Sequence, residues 1–205
     1  VKETIKKHKR ILFNGNNYSD EWVTEAKNRG LLNLKSTVDA LPYFISDKNI
    51  RLFTKHNIYS EKEIHSRYEV MLEGYAKVIH IEALTLLDIV KKEVIPSVVS
   101  YLNDISKTAY TKKSLNEKLS CELEERLIET ISNLSACLYS NMEKLEDSIL
   151  EAKNQGSTLK TARYYRETVF ISMQSLRSVI DELETLVGKK YWSLPTYGEL
   201  LYSVN

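Results

Sequence analysis

The sequence predicts an all-α fold: an elongated up-down-up bundle of three long helices, the first kinked or broken near Pro96, with short helices and irregular flanks at both ends. Three observations predict it. Six Gly and three Pro in 205 residues leave few places to turn. Beyond residue 60 apolar positions recur at steps of three and four almost everywhere. Ser or Thr stands three residues before Glu at three points where such stripes begin, the pattern of a capping box.

The first long helix starts at Tyr59-Ser60-Glu61-Lys62-Glu63-Ile64, where Ser60 can cap, Glu63 can reach back to the Ser60 amide and Tyr59 can staple to Ile64. Its stripe runs through Tyr68, Leu72, Ile79, Leu86 and Val90, then past Pro96 to Ile105. Pro96 removes one ladder bond, so a kink or a break into two helices is expected within residues 92–96. A second helix is expected from Ser114, matched by Glu117, with Leu115, Leu119, Leu123, Leu127, Ile131, Leu134, Leu138, Met142, Leu145 and Ile149 as a bundle seam. Asn154-Gln155-Gly156-Ser157 ends it. The third helix spans about Thr158 to Val187, with Gly188 as a left-handed stop. Long elements on short connections imply antiparallel neighbours.

The ends differ in kind. Residues 1–58 read as an irregular, short-helix segment: a basic stretch, the loop Asn14-Gly15-Asn16-Asn17, a short helix capped by Ser19 and stopped at Gly30, then Pro42 and a helix near Asp47 to His56. Residues 59–205 read as the bundle, closed by a short helix capped by Thr196 with Glu199. The two parts count as effectively one domain.

Composition narrows the function. Lys+Arg 29 against Asp+Glu 28 leaves a formal charge of +1, too little field to hold nucleic acid or an acidic membrane surface. No apolar run reaches the roughly 20 residues of a membrane span, so a soluble chain is expected, and its two cysteines fit a reducing, cytoplasmic setting. Cys121 and Cys137 match no disulfide framework and no metal spacing, and read as small buried apolar groups. The start at Val1, inside an amphipathic stretch, reads as the cut end of something longer.

Candidate chemistry is sparse. Glu61, His65 and Glu69 stand four apart and could share a helix face as metal ligands, although a solvated, charge-paired face is the simpler account. Lys62 and Lys77 occupy the positions where a di-metal bundle would carry Glu before His65 and His80. His80 reads as a hydrogen-bonded core or interface histidine, and His8 and His56 as surface residues. The Asn14 to Ser19 loop could offer amides to an anion, but its spacing favours a tight turn. Thirteen tyrosines are the oddity; Tyr191, Trp192, Tyr197 and Tyr202 crowd one flank, where aromatics can cement a module to another domain. Residue chemistry alone therefore points to a helical module with no self-contained active site, and a stand-alone helical adaptor is one form it could take.

Three sets of residues narrow this further. The first is Ile11-Leu12-Phe13-Asn14-Gly15-Asn16-Asn17-Tyr18-Ser19-Asp20-Glu21-Trp22, followed by Arg29-Gly30-Leu31-Leu32-Asn33-Leu34 and Ser36-Thr37-Val38-Asp39-Ala40-Leu41-Pro42. The second is His65-Ser66-Arg67-Tyr68-Glu69, Tyr75-Ala76-Lys77 and Ile81-Glu82-Ala83-Leu84-Thr85. The third is Tyr164-Tyr165-Arg166-Glu167-Thr168-Val169, Asp181-Glu182-Leu183-Glu184, Tyr191-Trp192 and Pro195-Thr196-Tyr197-Gly198-Glu199-Leu200-Leu201. Together, and in this order, they resemble the C-terminal part of type III glutamine synthetase. Asn17 departs from the family's Gly, Gly188 from its frequent Pro, and residues 107–161 keep only the seam.

The resemblance implies a parent enzyme that joins glutamate to ammonia with ATP, through a γ-glutamyl phosphate held by Mg2+ or Mn2+. That chemistry needs clustered carboxylates and phosphate-binding cations, which the resemblance places upstream of Val1. No catalytic, cofactor or metal residue is thus expected in this stretch, and the isolated piece is predicted inactive. The implied partners are the upstream catalytic domain and neighbouring subunits of a large ring homo-oligomer. The expected contact residues are Asn14, Gly15, Asn16, Tyr18, Trp22, Tyr191, Trp192 and Tyr197.

Overall fold

The computed structural model describes residues 1–202, apart from the side chain of Tyr197. Those residues are all-helical, with no strand. The chain falls into two compact units, Val1–Tyr68 and Glu69–Asn205.

The first unit carries short helices α1 (Lys2–Lys7), α2 (Asp20–Asn28), α3 (Thr37–Phe44) and α4 (Asp47–Lys55), and the first turns of α5 (Glu61–Ile89). Local signals set their ends. Ser36 Oγ accepts the Asp39 amide at 3.2 Å and caps α3, which takes in Pro42 rather than stopping before it. Gly30 (φ 70°) closes α2 with the Leu31 amide on the Ala26 carbonyl, as its place after the stripe predicts. Asn57 (φ 54°) closes α4 in the same way, with Ile58 bonded to Phe53. Its small core is Val38, Leu41, Ile64 and Tyr68. Beside it Phe44, Phe53 and Tyr59 form a ring chain at 5.6 and 5.8 Å, and the Arg67 guanidinium lies 4.5 Å from the Tyr59 ring.

At Ser60 the capping box is formed in full: the Ser60 amide reaches Glu63 Oε2 at 2.7 Å and the Glu63 amide reaches Ser60 Oγ at 3.3 Å. These bonds hold the Glu63 carboxyl below its usual range.

The second unit is the bundle. From α5 the chain stays helical through α6 (Ile95–Leu115), so of the kink or break expected near Pro96 the break does not occur. A π turn, Val90–Val94, takes its place, with the Ile95 amide on the Val90 carbonyl. Pro96 has no N–H to give the Lys92 carbonyl, and the wider turn makes room for its ring. Next come α7 (Glu122–Glu151), α8 (Thr158–Tyr164), a second π turn (Tyr165–Val169) and α9 (Phe170–Leu186). Lys91 pairs with Glu146 and Lys112 with Glu124, so α7 descends as the first rod climbs. Tyr164 bonds Glu151 and Asn141 bonds the Ser175 carbonyl, so α9 climbs again. This is the up-down-up order that the short connections predict.

Two expected ends are corrected. The second long helix begins at Glu122, not Ser114, which lies in the last turn of α6 with its hydroxyl on the Tyr110 carbonyl. Leu115, Leu119 and Leu123 are consequently exposed, Leu127 and Leu134 are half-buried, and the fully buried seam positions are Ile131, Leu138, Met142, Leu145 and Ile149. Gly188 is not left-handed; Val187, in extended conformation, ends α9. A Cβ at Gly188 would stand 3.3 Å from the Tyr101 ring, so glycine supplies clearance there. The turn after α7 does match its signals: Gly156 has φ 75°, and Ser157 Oγ caps α8 by accepting the Lys160 amide. Cys121 is buried, but Cys137 is exposed, because it falls on the outer face of α7. No helix among the described residues is long and apolar enough to cross a membrane.

The last helix, α10 (Tyr197–Tyr202), carries the capping box expected at Thr196 and Glu199: the Thr196 amide donates to Glu199 Oε2 at 3.0 Å, and Lys189 stands 2.6 Å from Oε1. Lys189 first, then Thr196, pull the Glu199 carboxyl down to about 2 from its ordinary 4.5. A depressed carboxylate contributes stability above its unfolded pKa and loses it as pH falls through the folded one. Acid titration followed by NMR is therefore expected to leave α10 intact above about pH 4.5 and to fray it progressively toward pH 2, with Glu199→Gln abolishing that step. A carboxyl titrating at its ordinary value would refute this.

Candidate functional site

The Asn14 to Trp22 loop is ordered by its own short-range bonds. Asn16 Oδ1 accepts the Tyr18 amide at 3.0 Å, and the Asn16 carbonyl accepts the Ser19 amide at 3.1 Å and the Ser19 hydroxyl at 2.8 Å. The side chain of Asn16 thereby uses its own turn, and neither Gly15 nor the asparagines around it are left-handed. This is the tight turn, not an anion cradle. Ser19 begins α2 without capping it through its side chain.

Behind the turn, Phe13 stacks on Trp22 with centroids 4.5 Å apart and an interplanar angle of 25°. The Arg29 guanidinium lies 5.7 Å from the Trp22 ring, donates to Glu25 at 2.6 Å and to the Leu12 carbonyl at 2.6 Å, and so ties the loop to α2. A Cβ at Gly15 would stand 2.6 Å from the Phe13 ring, so any larger residue here would require that ring to shift. Trp22 is half-buried by these partners, whereas Tyr18 is 100% exposed. An aromatic ring wholly in water gains nothing for the unit that carries it.

The second flank is built differently. Tyr191 donates its hydroxyl to Asp104 on α6 and packs its ring 5.3 Å from Tyr101. Hydrogen bonding to Asp104 pushes the Tyr191 phenol above its usual value. Trp192 is 8% exposed and belongs to the core of the second unit. Tyr191 and Trp192 thus already have partners within the bundle. The side chain of Tyr197 lies outside the described residues.

Glu61, His65 and Glu69 are all exposed on α5, and among the described residues no three His, Cys, Asp or Glu side chains converge to hold a metal ion. His80 takes its expected place, half-buried with Nδ1 3.1 Å from the Tyr165 hydroxyl. Burial raises the Tyr165 phenol. Its neighbour Tyr164 is pushed up to about 12, by burial first and then by its bond to Glu151. Sequence reading missed Glu124, a carboxylate buried beside α6. The hydrogen bond from Lys112 holds it below its usual range.

Residues 1–113 match the model of the glutamine synthetase C-terminal domain. A glutamine synthetase of Butyrivibrio fibrisolvens is 46% identical over 204 residues, which cover 100% of this chain and 29% of that protein. The type-3 glutamine synthetase of Dictyostelium discoideum is 34% identical over 98% of the chain and 28% of its own length. A glutamine synthetase of Bacteroides fragilis is 30% identical over 99% and 28%. The chain thus spans less than a third of the length of these relatives, and matches them from end to end. It belongs to the glutamine synthetase C-terminal domain family.

Proposed function

We propose that this chain is the C-terminal helical domain of an ATP-dependent, cytoplasmic glutamine synthetase, where it has a structural, oligomerisation or regulatory role and performs no catalysis by itself. One observation carries the reading: the likeness runs over the whole chain yet takes up only 28–29% of each relative. In this reading ATP and Mg2+ or Mn2+ are held by the remaining part of the enzyme, and the partners are that catalytic part and neighbouring subunits of a ring.

The surface supports a contact role. Tyr18 stands in water at the tip of an ordered loop, and Asn14, Gly15, Asn16 and Trp22 set the shape of that tip. Leu200 and Leu201, on the short helix that follows Tyr191 and Trp192 in the chain, are exposed. Exposed apolar groups on rigid supports are what an interface uses.

The purified 205-residue chain is expected to form no γ-glutamyl hydroxamate from glutamate, hydroxylamine and ATP, while the whole enzyme does. Product from the chain alone overturns the reading. In the whole enzyme Tyr18→Ala is expected to weaken assembly at least about tenfold while leaving helix content unchanged, since an interface aromatic carries about 1.4 kcal/mol or more and Tyr18 is fully exposed in its unit. Unchanged assembly would remove the loop from the contact.

A further inference from the structure

The bundle contains a cavity of about 340 Å3 that the family reading does not use. Its floor is small: Ala76 on α5 and Ala152 after α7 are both buried, where the same stripes elsewhere carry Leu72 and Ile149. Two methyl groups in place of larger side chains leave the hollow. Tyr165 also lines it, at the start of the second π turn, a distortion often found where a helix serves a site.

The rim is cationic. Lys77 comes from α5 and Lys153 from the short turn Ala152–Asn154. Among the described residues Glu73 is the one carboxylate that lines the cavity, and it is bonded to Lys77 at 3.1 Å. Lys153 makes no ion pair among the described residues. His80 also faces the cavity; when Tyr165 donates to Nδ1, the imidazole keeps its N–H on Nε2. Lysine ammonium groups and an imidazole above an apolar floor match a ligand with one anionic end and a short apolar body. The volume, at the lower end for ligand pockets, sets its size.

We propose that this cavity binds a small organic carboxylate, its charge met by Lys77 and Lys153 and its apolar body resting on Ala76, Ala152 and the Tyr165 ring. The proposal stands independently of the role assigned to the domain in its parent enzyme.

Hexanoate serves as the probe, titrated into the 205-residue chain and followed by amide chemical shifts. Saturable shifts around residues 73–80 and 152–165 are expected, with a Kd of about 1 mM or tighter. Hexanamide keeps the shape without the charge and is expected to bind about tenfold more weakly, the worth of a charge-assisted hydrogen bond. The double variant Lys77→Gln, Lys153→Gln is expected to lose the same factor for hexanoate. Both lysines are exposed, so its helix content by circular dichroism should match the parent. Absence of saturable shifts, hexanamide binding within about threefold of hexanoate, or hexanoate binding untouched by the double variant would each overturn the proposal.

Discussion

Replacing Trp192 by Ala is expected to lower the unfolding free energy of the helical unit by about 3–5 kcal/mol, the range for deleting a buried aromatic side chain. The indole is 8% exposed and sits in the core with Ile180, Leu183 and Val187. Its neighbours clamp the flank to α6: Tyr191 through Asp104 and Tyr101, and Ser193 with its hydroxyl 3.5 Å from that of Ser97. Those clamps keep the segment from collapsing into the hole, so most of the cavity cost remains. Trp192→Phe separates shape from polarity. Among the described residues Nε1 has no acceptor, so the loss of its N–H breaks no bond, and the change is expected to cost less than about 1.5 kcal/mol. Urea unfolding read by circular dichroism measures both. A Trp192→Ala shift below about 1 kcal/mol would mean that the flank is not packed on the bundle.

Leu145→Ala is expected to cost about 3–5 kcal/mol, while Leu123→Ala on the same helix stays within about 0.5 kcal/mol. Both leucines belong to the single seam that the sequence draws from Leu115 to Ile149. Leu145 is 0% exposed and faces the core, whereas Leu123 is 67% exposed. Comparable losses at the two positions would mean that the first turn of α7 is covered as fully as its middle.

The same contrast marks what local sequence could reveal. The capping boxes at Ser60 and Thr196 were readable because each is closed by residues three apart, and both form. Ser114 with Glu117 has the same spelling but sits inside a helix, where its hydroxyl returns to the Tyr110 carbonyl. What sets the true end is non-local: Lys112 and Lys113 reach Glu124 and Glu125, and the Cys121 thiol points to the Ala109 carbonyl at 3.6 Å, closing the hairpin from both sides. The first π turn traces to Pro96, which has no N–H to give, at the place where a kink or a break was expected. The second has no Pro or Gly within it, and nothing in the local residues announces it. Of the contact residues read from sequence, Tyr18 is wholly exposed, while Trp192 is spent on the core, a distinction invisible to composition because both are large aromatics on a flank.

Chain-local physics therefore suffices for the all-α class, the three rods and most of their ends, since helix period, caps and left-handed glycines act over four or five residues. Only packing decides which of several equally apolar positions meet a neighbour. It also brings together groups far apart in the chain: His80 with Tyr165, Lys77 with Lys153, Asp104 with Tyr191. Burial and charge balance are properties of that assembled neighbourhood, and no stretch of sequence carries them alone.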